Sequence, residues 1–281
     1  MSSSAQLVRG GHQKNIAKSF DRLCYRHSRW NVWSDFVTMA AIEISNVVDH
    51  ANAEHRTQIY HGMRKKYSDE EYVEFGNMFA ETVMGMEENL DQDFLGEMFM
   101  ALELSNDYKG QFFTPYSVCR MMAQINSTDL QAHIDEKGWI SASDPCCGAG
   151  ALLVAFANEC RRQNVNYHNS VLFVAQDIDM IVGCMCYIQL SLMGCPGYVV
   201  IDNTITSPSI SYDGRGLIPR QNDSNVWFTP FYFTEIWHWR RVWSQMDMIF
   251  SAAAKAPEIT EMLAEPETEY RVTKKGQLAF F

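Results

Sequence analysis

The stretch Asp144-Pro-Cys-Cys-Gly148-Ala-Gly150 sets an acid just ahead of two closely spaced glycines. Glycine lets a backbone turn tightly and come close to a ligand. The pattern is not G-x-G-x-x-G, and no Lys-Ser/Thr follows it, so it suits neither a dinucleotide nor a triphosphate. A carboxylate at Asp144 suits a cationic group, such as the amino group of an amino acid. Two further acids, Asp177 and Asp202, close two later apolar runs. Asp177 can accept two hydrogen bonds from ribose hydroxyls, and Asp202 one from an adenine amino group. Amino acid, ribose and adenine together describe S-adenosyl-L-methionine.

The elements needed to position these acids can be read around them. Residues 139–143, 171–175 and 198–201 are short strand candidates, and residues 151–157 and 180–193 read as apolar helices. Strand, helix, strand, helix, strand with acids at the strand ends predicts a parallel α/β sheet, whose ligands bind at the carboxyl ends of the strands. Residues 13–104 read as helical. Phe36, Val37, Ala40, Ala41, Ile44, Val47 and Val48 recur at helical spacing, and Ser68-Asp-Glu-Glu71 has the form of a capping box.

Composition excludes several classes. Lys and Arg number 23 against 34 Asp and Glu, a net charge of −11, so any nucleic-acid contact must be a local patch. One candidate is the basic stretch from Arg9 to Arg29, read either as a solvated helix face or as a phosphate-contacting arm. Residues 69–97, with ten acids and no Lys or Arg, cannot face a nucleic-acid backbone. No apolar run approaches the roughly 18–20 residues that span a bilayer. With no apolar signal core at the start, a cytoplasmic protein is expected. The eight cysteines form no C-x-x-C pair and predict buried thiols, with no metal.

A resemblance now becomes specific. Gly110-Gln-Phe-Phe-Thr-Pro115, the upstream Phe94-Leu-Gly-Glu-Met-Phe99, the glycine turn and Gln176-Asp-Ile-Asp179 follow one another in an order that resembles the N6-adenine DNA methyltransferases of type I restriction–modification modification subunits. The resemblance covers roughly residues 93–254. It implies a Rossmann-like, S-adenosyl-L-methionine-dependent methyltransferase sheet behind a helical N-terminal region. The implied organisation is a helical part over 1–105, a cofactor-binding domain over 106–257 and a polar tail over 258–281. Thr114 and Pro115 would touch the methionine part of the cofactor. Asp144, Gly148 and Gly150 would frame it, with Pro145 and Cys147 in the same turn. Asp177, with Ile178 beside it, would hold the ribose, and Asp202 would approach the adenine.

The resemblance also says what should follow and does not. Adenine N6 is a weak nucleophile because its lone pair is delocalised into the ring. An enzyme flips the base out and accepts hydrogen bonds from the amino group. In that family an Asn or Asp, two prolines and an aromatic do this, and the sequence contains no such run. The best-placed equivalent is Ala252-Ala253-Ala254, after a strand expected at 247–250; the alternative is the end of an ordinary helix. The runner-up is Thr229-Pro230-Phe231-Tyr232, inside a run of aromatics and arginines suited to base stacking, to plain core or to a subunit interface. An alanine triplet offers no side-chain acceptor, so the chain is expected to bind cofactor and methylate poorly. Alternatives are a non-catalytic module that binds DNA or protein, and a methyltransferase for RNA or protein. The sheet is expected to be abbreviated or completed by another chain, a second copy or a specificity subunit. Gln277-Leu278-x-Phe280-Phe281 resembles the short motif by which bacterial proteins dock into the replicative sliding clamp, with packing on the chain's own domain or a dimer mate as the alternative.

Overall fold

The computed structural model describes residues 4, 8, 10–104, 113–221, 223–255, 270–272 and 278–280, with residue 223 and those from 252 onward as backbone alone. The chain runs α1 (Gly11–Leu23), α2 (Arg29–Asn46), α3 (Ala53–Arg64), α4 (Asp69–Glu88), α5 (Phe94–Ala101), α6 (Tyr116–Asn126) and α7 (Leu130–Lys137). It continues through β1 (Ile140–Asp144), α8 (Ala151–Arg162), α9 (Tyr167–Ser170), β2 (Val171–Asp177), α10 (Met180–Leu192), β3 (Gly197–Ile201), β4 (Val226–Phe228) and α11 (Glu235–Lys255). Residues Met1–Arg241 form one compact unit and Val242–Phe281 a second.

The expected sheet is present. Its order is β1-β2-β3-β4, with the first three strands parallel and β4 antiparallel to β3. Asp144 pairs with Ala175, and Asp177 with Ile201, so the two acids stand at neighbouring strand ends. Strand β2 is buried through its first six residues, as a central parallel strand should be. Its residues alternate between two cores. Val171, Phe173 and Ala175 face the larger core, shared with the helices; Leu172 and Val174 face a smaller one. Helix α10 is apolar all round, and ten of its thirteen residues are buried. Such a helix must be covered on every side, and it lies between β2 and β3 on one hand and α2, α5 and α8 on the other. The smaller core is closed by Leu217, by Tyr232 and by Trp237 from the first turn of α11.

The helical stretch explains the uneven charge. The capping box at the start of α4 forms as written: the Glu71 amide donates to Ser68 Oγ and the Ser68 amide to Glu71 Oε2. Helix α1 packs along this acidic helix. Arg22 Nη1 lies 2.8 Å from Glu74 Oε1, and Arg26 Nη1 3.5 Å from Glu71 Oε1. Arg29 donates to the Leu102 carbonyl at 3.0 Å and lies 3.7 Å from Asp21. Arg22, Arg26 and Arg29 thus meet the chain's own acids and backbone, while Lys14 and Lys18 are exposed and Arg9 lies outside the described residues.

One expectation is corrected. Residues 247–250 are not a strand but part of α11, which runs unbroken to Lys255 and includes Ala252, Ala253 and Ala254 in its last turn. Ile236, Trp239, Trp243, Met246 and Phe250 repeat at three- and four-residue spacing, and alanine is the best helix former, so the helical period prevails over a short apolar run. The aromatic run is core in part: Trp227, Tyr232 and Trp237 are buried, with Arg56 over Trp227, Arg241 over Tyr232 and Arg240 over Trp237, while Phe233, Trp239 and Trp243 are exposed. Within the tail, β5 (Tyr270–Val272) pairs antiparallel with β6 (Leu278–Phe280). Gln277 and Phe281 of the clamp-like motif, and Gly110 to Phe112 of the Thr-Pro motif, lie outside the described residues.

Arg56 joins the helices to the sheet edge. It is 2% exposed, lies 2.6 Å from Asp49 Oδ2, donates to the Val226 carbonyl at 2.8 Å and is also bonded to Ser45. Removing one partner of a buried pair leaves an uncompensated charge. Arg56→Ala is therefore expected to lower stability by about 3–5 kcal/mol, read as a shift in the urea midpoint; a change below 1 kcal/mol in that measurement would contradict the assignment.

Candidate functional site

The glycine turn is held by backbone bonds to the strand ends. The Cys147 amide donates to the Gln176 carbonyl at 2.9 Å, and the Gly150 amide to the Cys147 carbonyl at 2.8 Å. Gly148 and Gly150 take φ of +52° and +93°, a region that L side chains rarely enter. At Gly150 a Cβ would also stand 2.7 Å from the Cys186 sulfur, so the glycine lets α8 begin against α10. Cys147 is buried, and its hydrogen bond with Cys186, together with burial, holds its thiol well above the usual range. It is a neutral filler and not a nucleophile.

Asp177 fastens the turn to β2. Its Oδ2 accepts from the Gly148 amide at 2.9 Å and its Oδ1 from the Asp179 amide at 3.0 Å. Asp144 Oδ1 accepts from the Cys146 amide at 3.1 Å. Burial raises the Asp144 carboxyl; the Cys146 amide opposes this and the Asp177 charge adds to it. The two carboxylates face one cleft of about 340 Å³, lined also by Asp93, Phe113, Thr114, Cys119, Cys147 and Gly148.

Sequence reasoning thus brings Thr114, Asp144, Cys147, Gly148 and Asp177 to one cleft. Pro115, Pro145, Gly150, Ile178 and Asp202 are not in its lining. Pro115 caps α6, Ile178 is exposed beside Asp177, and the Pro145 carbonyl accepts from the Thr204 hydroxyl at 2.5 Å. Asp202 sits one strand further on, where its amide donates to the Asp177 carbonyl. Its carboxylate accepts from the Asn203 amide and from Asn225 Nδ2, and these bonds hold it below the usual range. Thr229 is fully buried: its hydroxyl donates to the Cys195 carbonyl at 2.7 Å and accepts from the Gly197 amide at 3.0 Å. That is a structural tie, and a hydroxyl buried this completely is closed off from a base. A larger groove, of about 670 Å³, runs along the free edge of β1 past Lys137, Trp139 and Arg215. It holds neither glycine turn nor carboxylate, and Arg215 is spent on the carbonyls of Lys137 and Trp139, so the smaller cleft is the candidate site.

Asp93 was not foreseen as a site residue. Its signal was the ordinary one of an acid ahead of a helix, and it does cap α5, accepting from the Gly96 amide at 3.1 Å. Gln189 of α10 reaches the same oxygen at 2.8 Å, donates to the Ala149 carbonyl at 2.8 Å and accepts from the Leu95 amide at 3.2 Å. Asp93 is 3% exposed, and burial pushes its carboxyl up to about 6, against the opposing bonds from Gln189 and Gly96. A carboxyl raised by folding stabilises the fold below its unfolded value near 4, and that contribution is lost as pH rises through about 6. Asp93→Asn keeps an acceptor for both donors. It is expected to stabilise the free protein at pH 7.5 by about 1–3 kcal/mol and to change little at pH 4. Parallel denaturant titrations at the two pH values check this, and equal effects at both would refute it.

The donor set of the cleft suits a small cationic ligand: three carboxyl groups, the Thr114 hydroxyl and close-approaching backbone at Gly148, with no Lys, Arg or His in the lining. The sequence matches the N-6 DNA methylase family over residues 91–260, which takes in this cleft, the glycine turn and the strands that carry it. No curated protein and no solved structure matches the chain. The family match spans more than half of the chain, and on that ground the protein belongs to the N-6 DNA methylase family.

Proposed function

We propose that this chain binds S-adenosyl-L-methionine in the cleft at the ends of β1 and β2, and that as it stands it transfers a methyl group to adenine N6 poorly. The observation that carries the first part is the convergence of Asp144 and Asp177 on one glycine-walled cleft without a basic residue. When bound, the cofactor supplies an electrophilic methyl group on a positively charged sulfur. The chain's residues would hold and orient it. Asp177 keeps the turn against β2 through the Gly148 amide, while Asp144, at the strand end, presents negative charge to a cationic group. Thr114 adds a hydroxyl at the mouth, and Phe113 forms an apolar wall over Gly148.

The second part rests on the acceptor side. No Asn/Asp-Pro-Pro-aromatic run occurs in the sequence, Thr229 is committed elsewhere, and the alanine triplet lies in a helix. Without an oxygen placed to accept from the adenine amino group, its lone pair stays in the ring, and a well-held methyl donor finds a weak nucleophile. DNA remains the expected substrate class, as the family implies.

Two measurements test the reading. Titration calorimetry should show wild-type binding of S-adenosyl-L-methionine that Asp177→Ala weakens by roughly tenfold or more, since the variant frees the turn as well as removing a charge. Radiolabelled methyl transfer to duplex DNA should stay near background. Binding unchanged in Asp177→Ala would remove the cofactor assignment, and robust formation of N6-methyladenine would remove the acceptor argument.

A further inference from the structure

Among the described residues, buried carboxylates fall into two kinds, those that meet a cation and those that receive only neutral donors. Asp49 meets Arg56 at 2.6 Å, and Asp35 meets Lys66 Nζ at 2.9 Å with the Tyr67 hydroxyl at 2.8 Å. Each is almost wholly buried and each has a cation. Asp93 is as deeply buried, at 3% exposure, yet receives only neutral donors, the Gly96 amide and the Gln189 side chain, both on Oδ1. Among the described residues, Oδ2 has no hydrogen-bond partner. It lies over Gly96, where a Cβ would come within 2.0 Å of it. A cap needs a single acceptor, which Ser or Asn supplies at no charge. Capping therefore accounts for one oxygen and not for the charge.

The surroundings make that charge more costly. Glu97 adds repulsion from Asp93's own helix. From α6, Cys119 feels both Asp93 and Asp144. Asp144 from β1, Asp177 from β2 and Cys147 from the turn line the same cleft, which contains no basic side chain. An unpaired buried charge costs several kcal/mol unless a counter-ion arrives, and the open side of Asp93 is the cleft.

We infer that Asp93 is a cofactor-binding residue, the counter-ion of the cationic methionine end of S-adenosyl-L-methionine. The assignment rests on the cofactor reading above and adds a residue to it. Below about pH 6 the carboxyl holds a proton in the free protein. A cation entering the cleft favours the ionised form, so binding expels that proton and the affinity rises with pH. No bond to carbon is made or broken; one O–H bond is lost, and the proton passes to buffer.

The test is calorimetry with S-adenosyl-L-methionine from pH 5 to 8, in buffers of differing ionisation enthalpy, on the wild type and on Asp93→Asn. In the wild type the affinity should rise and proton release fall as pH passes upward through about 6. Asp93→Asn should weaken binding by roughly tenfold at pH 7.5 and lose most of the proton release. The variant's stability, measured alongside, should not fall at that pH. Weaker binding in a protein at least as stable is what a merely structural carboxylate would not give. Asp93→Asn that binds with wild-type affinity and an unchanged proton count overturns the assignment while leaving the cofactor reading intact. A wild type that does not bind the cofactor, with Asp177→Ala equally inert, overturns both.

Discussion

The Gln189 side chain holds the architecture of the cleft in one place. Its nitrogen serves Asp93 and the Ala149 carbonyl, and its oxygen serves the Leu95 amide. One amide on α10 thus ties the start of α5 to the far side of the glycine turn, across sequence separations of 94, 96 and 40 residues. All its partners are buried, so each bond spares a desolvation cost that water cannot refund. With the amide in place, the helical stretch forms a wall of the cleft rather than a separate appendage. That is why Asp93 and Asp144, which lie far apart in the sequence, face the same space.

Around that amide, the turn is organised by acceptors that each do two things. Asp177 holds the Gly148 amide with one oxygen and the Asp179 amide with the other, yet its carboxylate still lines the cleft. Gln176 accepts from the Cys147 amide through its backbone. Through its side chain it holds the loop after β3 at the Asp202 and Ser207 carbonyls and the Ser209 amide. The loop and the turn are thereby fixed from adjacent atoms of one residue. Negative charge concentrated in such a place opposes folding, the usual exchange of stability for a prepared site.

The sheet and its two acids were legible because both signals are local. A β-branched run that ends in Asp names a strand end, and two glycines beside an acid name a turn. The helix at 235–255 was harder to read. Residues 246–250, taken alone, suit strand or helix equally, and only the longer repeat from Ile236 decides. Asp202 lies outside the lining of the cleft for a related reason. It does close a strand, but Asn225, distant in sequence, takes its carboxylate. Asp93 was missed because a helix cap and a ligand group are written with the same letter. What separates them is the absence of a cation, a property of the folded neighbourhood. The aromatic and basic run from β4 onward met the same difficulty: composition allows Arg over an aromatic ring within the core or Arg on phosphate outside it, and packing chose the former at Trp227, Tyr232 and Trp237 while leaving Trp239 and Trp243 exposed.

The internal use of arginine has an outcome for how a polyanion would meet this surface. Arg22, Arg26, Arg29, Arg56, Arg64, Arg215, Arg240 and Arg241 all bond or stack within the chain, and the total charge is −11. Tight non-specific adhesion to a duplex comes from cations that replace condensed sodium or potassium, and arginines already committed within the chain contribute least to that exchange. Whatever counter-ions leave on contact with a helix of nucleic acid would accordingly be displaced by the other cations, the exposed Lys14 and Lys18 of α1 among them.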